Sequence, residues 1–149
     1  MKIILDCFGG DNCPSSAIDG ALLAITEDKT LNVTLCVDEK IISDYLIGKT
    51  YDNSRLSILH ASDIITNDDT PTLAIPRKKD ASMTVGLKTL AQEDYDGFVS
   101  SGNTGALLVG TSLIVKRIDG VQRCSLSPVL PTMIDGKGTI LVDSGANVD

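Results

Sequence analysis

Residues 96–116 read DGFVSSGNTGALLVGTSLIVK. The segment opens with a short β-rich run at 96–100. It passes through a loop of Ser, Gly, Asn and Thr and continues as a very apolar stretch over 104–116, predicted as a helix. A strand feeding a small-residue loop and then an apolar helix is the repeating unit of an α/β protein. The same alternation extends outward. KIILDC (2–7) predicts a strand ending at a Gly9-Gly10-Asp11 turn, and from Pro14 the pattern becomes helical. Ile18, Ala21, Leu22 and Ile25 recur at i, i+3, i+4, i+7 and share one helix face. Pro14 suits a helix start, where its missing N–H costs nothing.

LNVTLCV (31–37) predicts a second strand, DEKIISDYL (38–46) a short helix stopped near Gly48, and RLSILH (55–60) a third strand. An irregular stretch follows over 61–80. From Asp80 or Ser82 Met83, Leu87, Leu90 and Ala91 share a helical face. SLSPVLPT (125–132) and TILVDSG (139–145) read as two further strands. Near-continuous apolar strands alternating with helices predict an α/β fold, a mostly parallel sheet with helices on both faces, as a single domain over 1–149.

The totals narrow the function. The 149 residues suffice for one domain with a real core, and 42% apolar with 22% charged residues is an ordinary globular composition. A net charge of −7 and 3% aromatics disfavour nucleic-acid binding, which needs a basic face or stacking rings. No run reaches the roughly 18–20 apolar residues that span a bilayer, and the N-terminus lacks a signal peptide's features. A cytoplasmic protein is expected. Cys7, Cys13, Cys36 and Cys124 match no zinc spacing and read as reduced thiols.

Ligands of open parallel sheets bind at the carboxyl ends of strands. Here small and polar residues recur after each predicted strand. Asp6, Gly9, Gly10 and Asp11 follow the first, His60, Ser62 and Asp63 the third, SSGNTG the fourth, and Asp143, Gly145, Asn147 and Asp149 the last. The SSGNTG loop has the strongest claim to a ligand. Free N–H groups at a helix start attract anions. Gly102 and Gly105 allow close backbone approach, and Asn103 or Thr104 can cap the helix or face an oxyanion. The same residues also suit a capped helix with no ligand. Neither G-x-x-x-x-G-K-[ST] nor G-x-G-x-x-G is present. Arg77, Lys78 and Lys79 form the one dense basic cluster, readable as an anion site, a dock for an acidic partner or a solvated run. His60 is the sole histidine, so no Ser-His-Asp triad can be assembled by sequence, and the carboxylates have no His or Cys at metal-ligand spacing.

LDCFGGDNCP (5–14), LHASDIITNDDTPTLAIPRKKDASM (59–83), FVSSGNTGALL (98–108), VLPT (129–132) and LVDSGANVD (141–149), in this order, resemble the phosphate acyltransferases of bacterial phospholipid synthesis, the acyl-ACP:phosphate transacylases. Phe8 stands where the family pattern D-x-M-G-G-D-x-x-P has Met, and Ser101 and Ser144 replace other small residues. Members of that family are longer, so the chain looks like the N-terminal part of such an enzyme. The resemblance implies a fold similar to the isocitrate/isopropylmalate dehydrogenase-like proteins and phosphotransacetylases. It also implies homodimers and peripheral attachment to the inner face of the membrane.

The implied reaction moves a fatty acyl group from the thioester of acyl carrier protein to inorganic phosphate, with no cofactor and no metal. Phosphate groups ionise near neutral pH, and a thiol of pKa near 8.5 is a good leaving group, so neither a strong base nor a side-chain nucleophile is compulsory. The site must align the reactants and stabilise an oxyanion. On this reading Asn103 and Lys79 are the expected catalytic residues, and His60 is a reserve acid for the leaving sulfur. Substrate-binding walls come from Asp6, Gly9, Gly10, Asp11, Arg77, Lys78, Ser101, Gly102, Thr104, Gly105, Asp143, Gly145 and Asn147. A non-catalytic ligand- or carrier-protein-binding domain, or an oxidoreductase on a related fold, are the competing classes.

Overall fold

The computed structural model describes residues 1–142 and Ser144. These fall in two compact units, Met1–Val115 and Lys116–Asp149.

The first unit is built on a four-stranded parallel sheet. β1 (Lys2–Asp6), β2 (Asn32–Val37), β3 (Leu56–His60) and β4 (Gly97–Val99) lie in the order β3-β2-β1-β4. Registers run Ile4↔Thr34 and Asp6↔Cys36 on one side of β1 and Leu5↔Val99 on the other. Strand alternation sends Val33, Leu35 and Val37 to one face, where Ile18, Ala21 and Ile25 of α1 (Ser15–Glu27) and Ile42 of α2 (Glu39–Leu46) meet them. Ile4 and Cys36 point the opposite way and pack near Val85, Leu90 and Phe98. A neighbouring cluster on Met83 and Leu87 of α4 (Ser82–Gln92) joins Ala74 and Ile75 of α3 (Pro71–Arg77) to Ala106 of α5 (Thr104–Gly110). Both faces of the sheet are therefore covered, as the apolar strands predict.

Two details of the first unit differ from the sequence reading. The stretch 61–80 contains α3, entered through Pro71 at the helix start, where proline's fixed φ is favourable. Pro76 disguises this helix, because an interior proline normally breaks one; here the helix ends a residue later at Arg77. The apolar run 104–116 is not one regular helix. After Gly110 it widens into a π turn, Thr111–Val115, where Thr111 Oγ1 donates to the Leu107 and Leu108 carbonyls and Ser112 Oγ to that of Leu108. Hydroxyls that return to the preceding turn compete with the backbone ladder.

In the second unit the predicted strands 125–132 and 139–145 contribute β5 (Val129–Pro131) and β6 (Gly138–Ile140), with Asp143 and Gly145 outside the described residues. The two strands pair antiparallel with each other, which corrects their reading as members of the parallel set. The connection over 132–137 is too short for a parallel crossover, which needs a dozen or more residues. It closes as a turn with Gly136 at φ 71°.

Gly86 sets the spacing between α4 and the sheet. A Cβ there would overlap the Phe98 ring and approach Ile4 Cγ2 to 3.3 Å. Gly86→Ala is expected to lower the unfolding free energy of the intact protein by about 1–3 kcal/mol, the usual cost of overpacking. Denaturant titration measures this, and an unchanged midpoint would refute tight α4–sheet packing.

Candidate functional site

β1 ends on Asp6, a carboxyl only 3% exposed at the carboxyl edge of the sheet. Burial of such a group is tolerated only when its oxygens are hydrogen-bonded. Oδ1 accepts the Phe8 N–H (3.1 Å) and the Ser82 hydroxyl (2.5 Å), and Oδ2 accepts the Ser100 hydroxyl (2.7 Å). Ser100 Oγ in turn accepts the Gly102 N–H at 3.1 Å. One side chain thus joins the turn after β1, the start of α4 and the loop after β4.

The two glycine-rich turns are in direct contact. A Cβ on Gly9 would sit 2.6 Å from the Gly102 nitrogen, a backbone atom that has no rotamer to escape into. Gly10 has φ +103°, a region that side chains disfavour. Ser101 Oγ donates to the Gly9 carbonyl at 2.9 Å. The structure therefore brings Asp6, Gly9, Gly10, Ser101 and Gly102 into one cluster.

Asn103 is the helix cap. Its Oδ1 accepts the Ala106 N–H (2.9 Å), while Nδ2 donates to the carbonyls of Thr66 (3.0 Å) and Asp69 (3.3 Å). This 8%-exposed amide stitches α5 to the 66–69 loop. Thr104 is exposed and Gly105 half-buried; a Cβ on Gly105 would come within 2.7 Å of Pro71 at the start of α3.

The basic cluster divides. Lys78 Nζ donates to Asp69 Oδ2 and to the Ile64 carbonyl, each at 2.7 Å, and is committed to holding the loop. Asp69 also accepts the Thr66 N–H (2.7 Å) and hydroxyl (3.0 Å). The Lys78 ammonium, then the Thr66 bonds, hold its carboxyl below the ordinary value. Arg77 and Lys79 are exposed, and Arg77 lines a cavity of about 250 Å³ with Asp68, Thr70 and Leu73.

His60 is set apart. It ends β3, which β2 separates from β1, and its Nδ1 accepts the Glu39 N–H at 3.4 Å. Asp11 is exposed in the first turn. Asp143, Gly145 and Asn147 lie outside the described residues. Cys7 and Cys36 are buried, and burial, with the nearby Asp6 charge second, pushes both thiols up to about 12. Neither is a thiolate near neutral pH. Among the described residues no group of three or more His, Cys, Asp or Glu side chains gathers as a metal site. No helix among them is long and apolar enough to cross a membrane.

The family model described as "Fatty acid synthesis protein" matches residues 1–149. The chain belongs to this family. It is 44% identical over 147 residues to the phosphate acyltransferase of Acetivibrio thermocellus, covering 99% of this chain and 43% of that protein. It is 44% identical over 149 residues to the phosphate acyltransferase of Shouchella clausii, covering 100% of this chain and 44% of that protein. Another phosphate acyltransferase, from Alkaliphilus oremlandii, is 41% identical over 150 residues. The chain thus spans less than half the length of these relatives.

Two expected outcomes follow from the loop geometry. Asn103→Ala removes the cap and both bridges to the 66–69 loop, and should cost about 1–2 kcal/mol. Amide exchange should accelerate at 104–106 and 66–70, and unchanged exchange there would contradict the stitching role. Asp69 sets an acid limit. A carboxyl depressed on folding contributes stability above its unfolded value, near 3.8, and loses it as pH falls through its folded value. Acid unfolding followed by circular dichroism should show this loss, and Asp69→Asn should remove Asp69's share of it while leaving that of Asp19, Asp28 and Asp52, whose carboxyls are also held below the ordinary value.

Proposed function

We propose that the intact protein is a phosphate acyltransferase that moves a fatty acyl group from acyl carrier protein to inorganic phosphate. The observation that carries this reading is the stacked pair of glycine-rich turns, pinned by Asp6 at the carboxyl edge of a parallel sheet. Membership of the family and the relatives' being phosphate acyltransferases by name support it.

The chemistry asks little of side chains. A phosphate oxygen attacks the thioester carbon, a C–O bond forms, the C–S bond breaks, and the thiolate leaves as a good leaving group. The negative charge that builds on the carbonyl oxygen needs preorganised donors. The Gly102 N–H is taken by Ser100 and the Ala106 N–H by Asn103. The first N–H groups of a helix have no intrahelical partner, so those of Thr104 and Gly105 remain to meet a substrate oxygen. Losing one such donor typically costs about 3–4 kcal/mol of barrier. Asn103 then acts by fixing the loop, since its own amide is occupied. Exposed Arg77 and Lys79 would draw phosphate or the acidic carrier protein, whereas Lys78 serves structure. His60 ends β3, which β2 and β1 separate from β4, and its Nδ1 faces the Glu39 N–H, so no step is assigned to it.

The test is acyl phosphate formation from acyl carrier protein and phosphate by the intact protein. Activity is expected, with Asn103→Ala lowering kcat by roughly 10–100-fold. Reversing charge at Arg77 and Lys79 should raise KM for the acylated carrier more than KM for a short acyl thioester. A folded intact protein that binds carrier but forms no acyl phosphate would replace this reading with a binding module.

A further inference from the structure

The geometry points to Asp6, acting through Ser100, as the positioning pair that holds the 100–105 loop in its reactive shape, an inference that rests on the proposed acyl transfer. Ser100 lies just past β4, and its hydroxyl is placed between two partners of opposite demand. It donates to Asp6 Oδ2 at 2.7 Å, so its lone pair is turned to the Gly102 N–H at 3.1 Å. This order fixes the direction of the whole relay. A carboxylate accepts only, and Asp6 accepts from Ser100, Ser82 and Phe8 together. An amide at position 6 would have the same shape but would present N–H groups to one of the two hydroxyls. Facing Ser100, it would bring a second donor to an oxygen that already receives Gly102.

The relay is anchored on rigid parts. Asp6 belongs to β1, which is paired on both sides, by β2 and β4. Ser82 is 2% exposed, and its N–H is held by the Asp63 carbonyl at 3.1 Å. The loop end is softer, since β4 has only three residues and Val99 is 48% exposed. Without the relay, the Gly102 peptide plane loses its side-chain partner. The Thr104 and Gly105 N–H groups, two and three residues on, lose their alignment. A misplacement of about 1 Å in such a constellation costs on the order of 100-fold in rate.

The experiment compares wild type with Ser100→Ala, Ser100→Thr and Asp6→Asn in the intact protein. Tyr95→Phe serves as a control that removes the distant Thr34–Tyr95 hydrogen bond (3.0 Å). Ser100→Ala should lower kcat on the order of 100-fold while moving KM for phosphate much less. Amides 101–105 should exchange faster. Ser100→Thr keeps the hydroxyl, and its methyl has room because Ser100 borders a cavity of about 360 Å³ with Ile3, Leu5, Ala17 and Val99. It should restore most of the activity and the protection. Asp6→Asn should resemble Ser100→Ala in both readouts, and serves in its place if that variant does not fold. Tyr95→Phe should lower thermal stability without touching kcat or the loop amides.

A Ser100→Ala enzyme with wild-type kcat and loop protection would overturn the inference, as would equal kcat loss in Tyr95→Phe. Should wild type form no acyl phosphate, the proposed reaction falls. The exchange comparison alone then decides whether the relay holds the loop.

Discussion

One buried carboxyl, at the carboxyl end of β1, ties together the turn after β1, the head of α4 and the loop after β4. Asp6 collects donors from three segments that are distant in sequence: Phe8 beside it, Ser82 at the head of α4 and Ser100 past β4. Hydrogen bonds to a charged acceptor contribute about 1.5–3 kcal/mol each, and leaving such an acceptor unpaired costs more. The three segments therefore have one arrangement that satisfies them all. Gly9 and Gly102 then meet with no room for a side chain on Gly9, and the loop that opens α5 has one shape.

A second anchor works on the far side of that loop. Asn103 and the Lys78–Asp69 pair tie α5 to the 64–69 loop and α3 through three carbonyls and a carboxylate. Side chains that sequence reasoning offers to a ligand are here spent on holding backbone. For the proposed transfer the arrangement offers main-chain N–H groups at the start of α5 and two exposed cations, Arg77 and Lys79. A transfer in which nucleophile and leaving group are both already competent needs little else from the protein.

Much of this was readable in one dimension. The strand–helix alternation follows from apolar runs such as LNVTLCV and from the 18, 21, 25 spacing of α1, because burial on one helical face is a local pattern. The contact of the GGD and SSGNTG turns was foreshadowed only as recurrence of small residues at one sheet edge. Ser82 and Ser100 were missed as site residues, since their importance lies in a shared partner 76 and 94 positions away. The capping role of Asn103 was readable from the loop's composition, whereas its bridges to the Thr66 and Asp69 carbonyls and the structural use of Lys78 were hidden for the same reason. α3 was masked by Pro76, and the β5–β6 pairing by a strand signal that does not state direction.

The most direct measurement is a titration of the intact, isotope-labelled protein with inorganic phosphate, followed by amide chemical shifts. Saturable shifts are expected at Gly9, Gly10 and Ser101 to Gly105, with their loss or weakening in Ser100→Ala. Shifts centred on His60 and α2, with the 101–105 amides unmoved, would contradict that expectation.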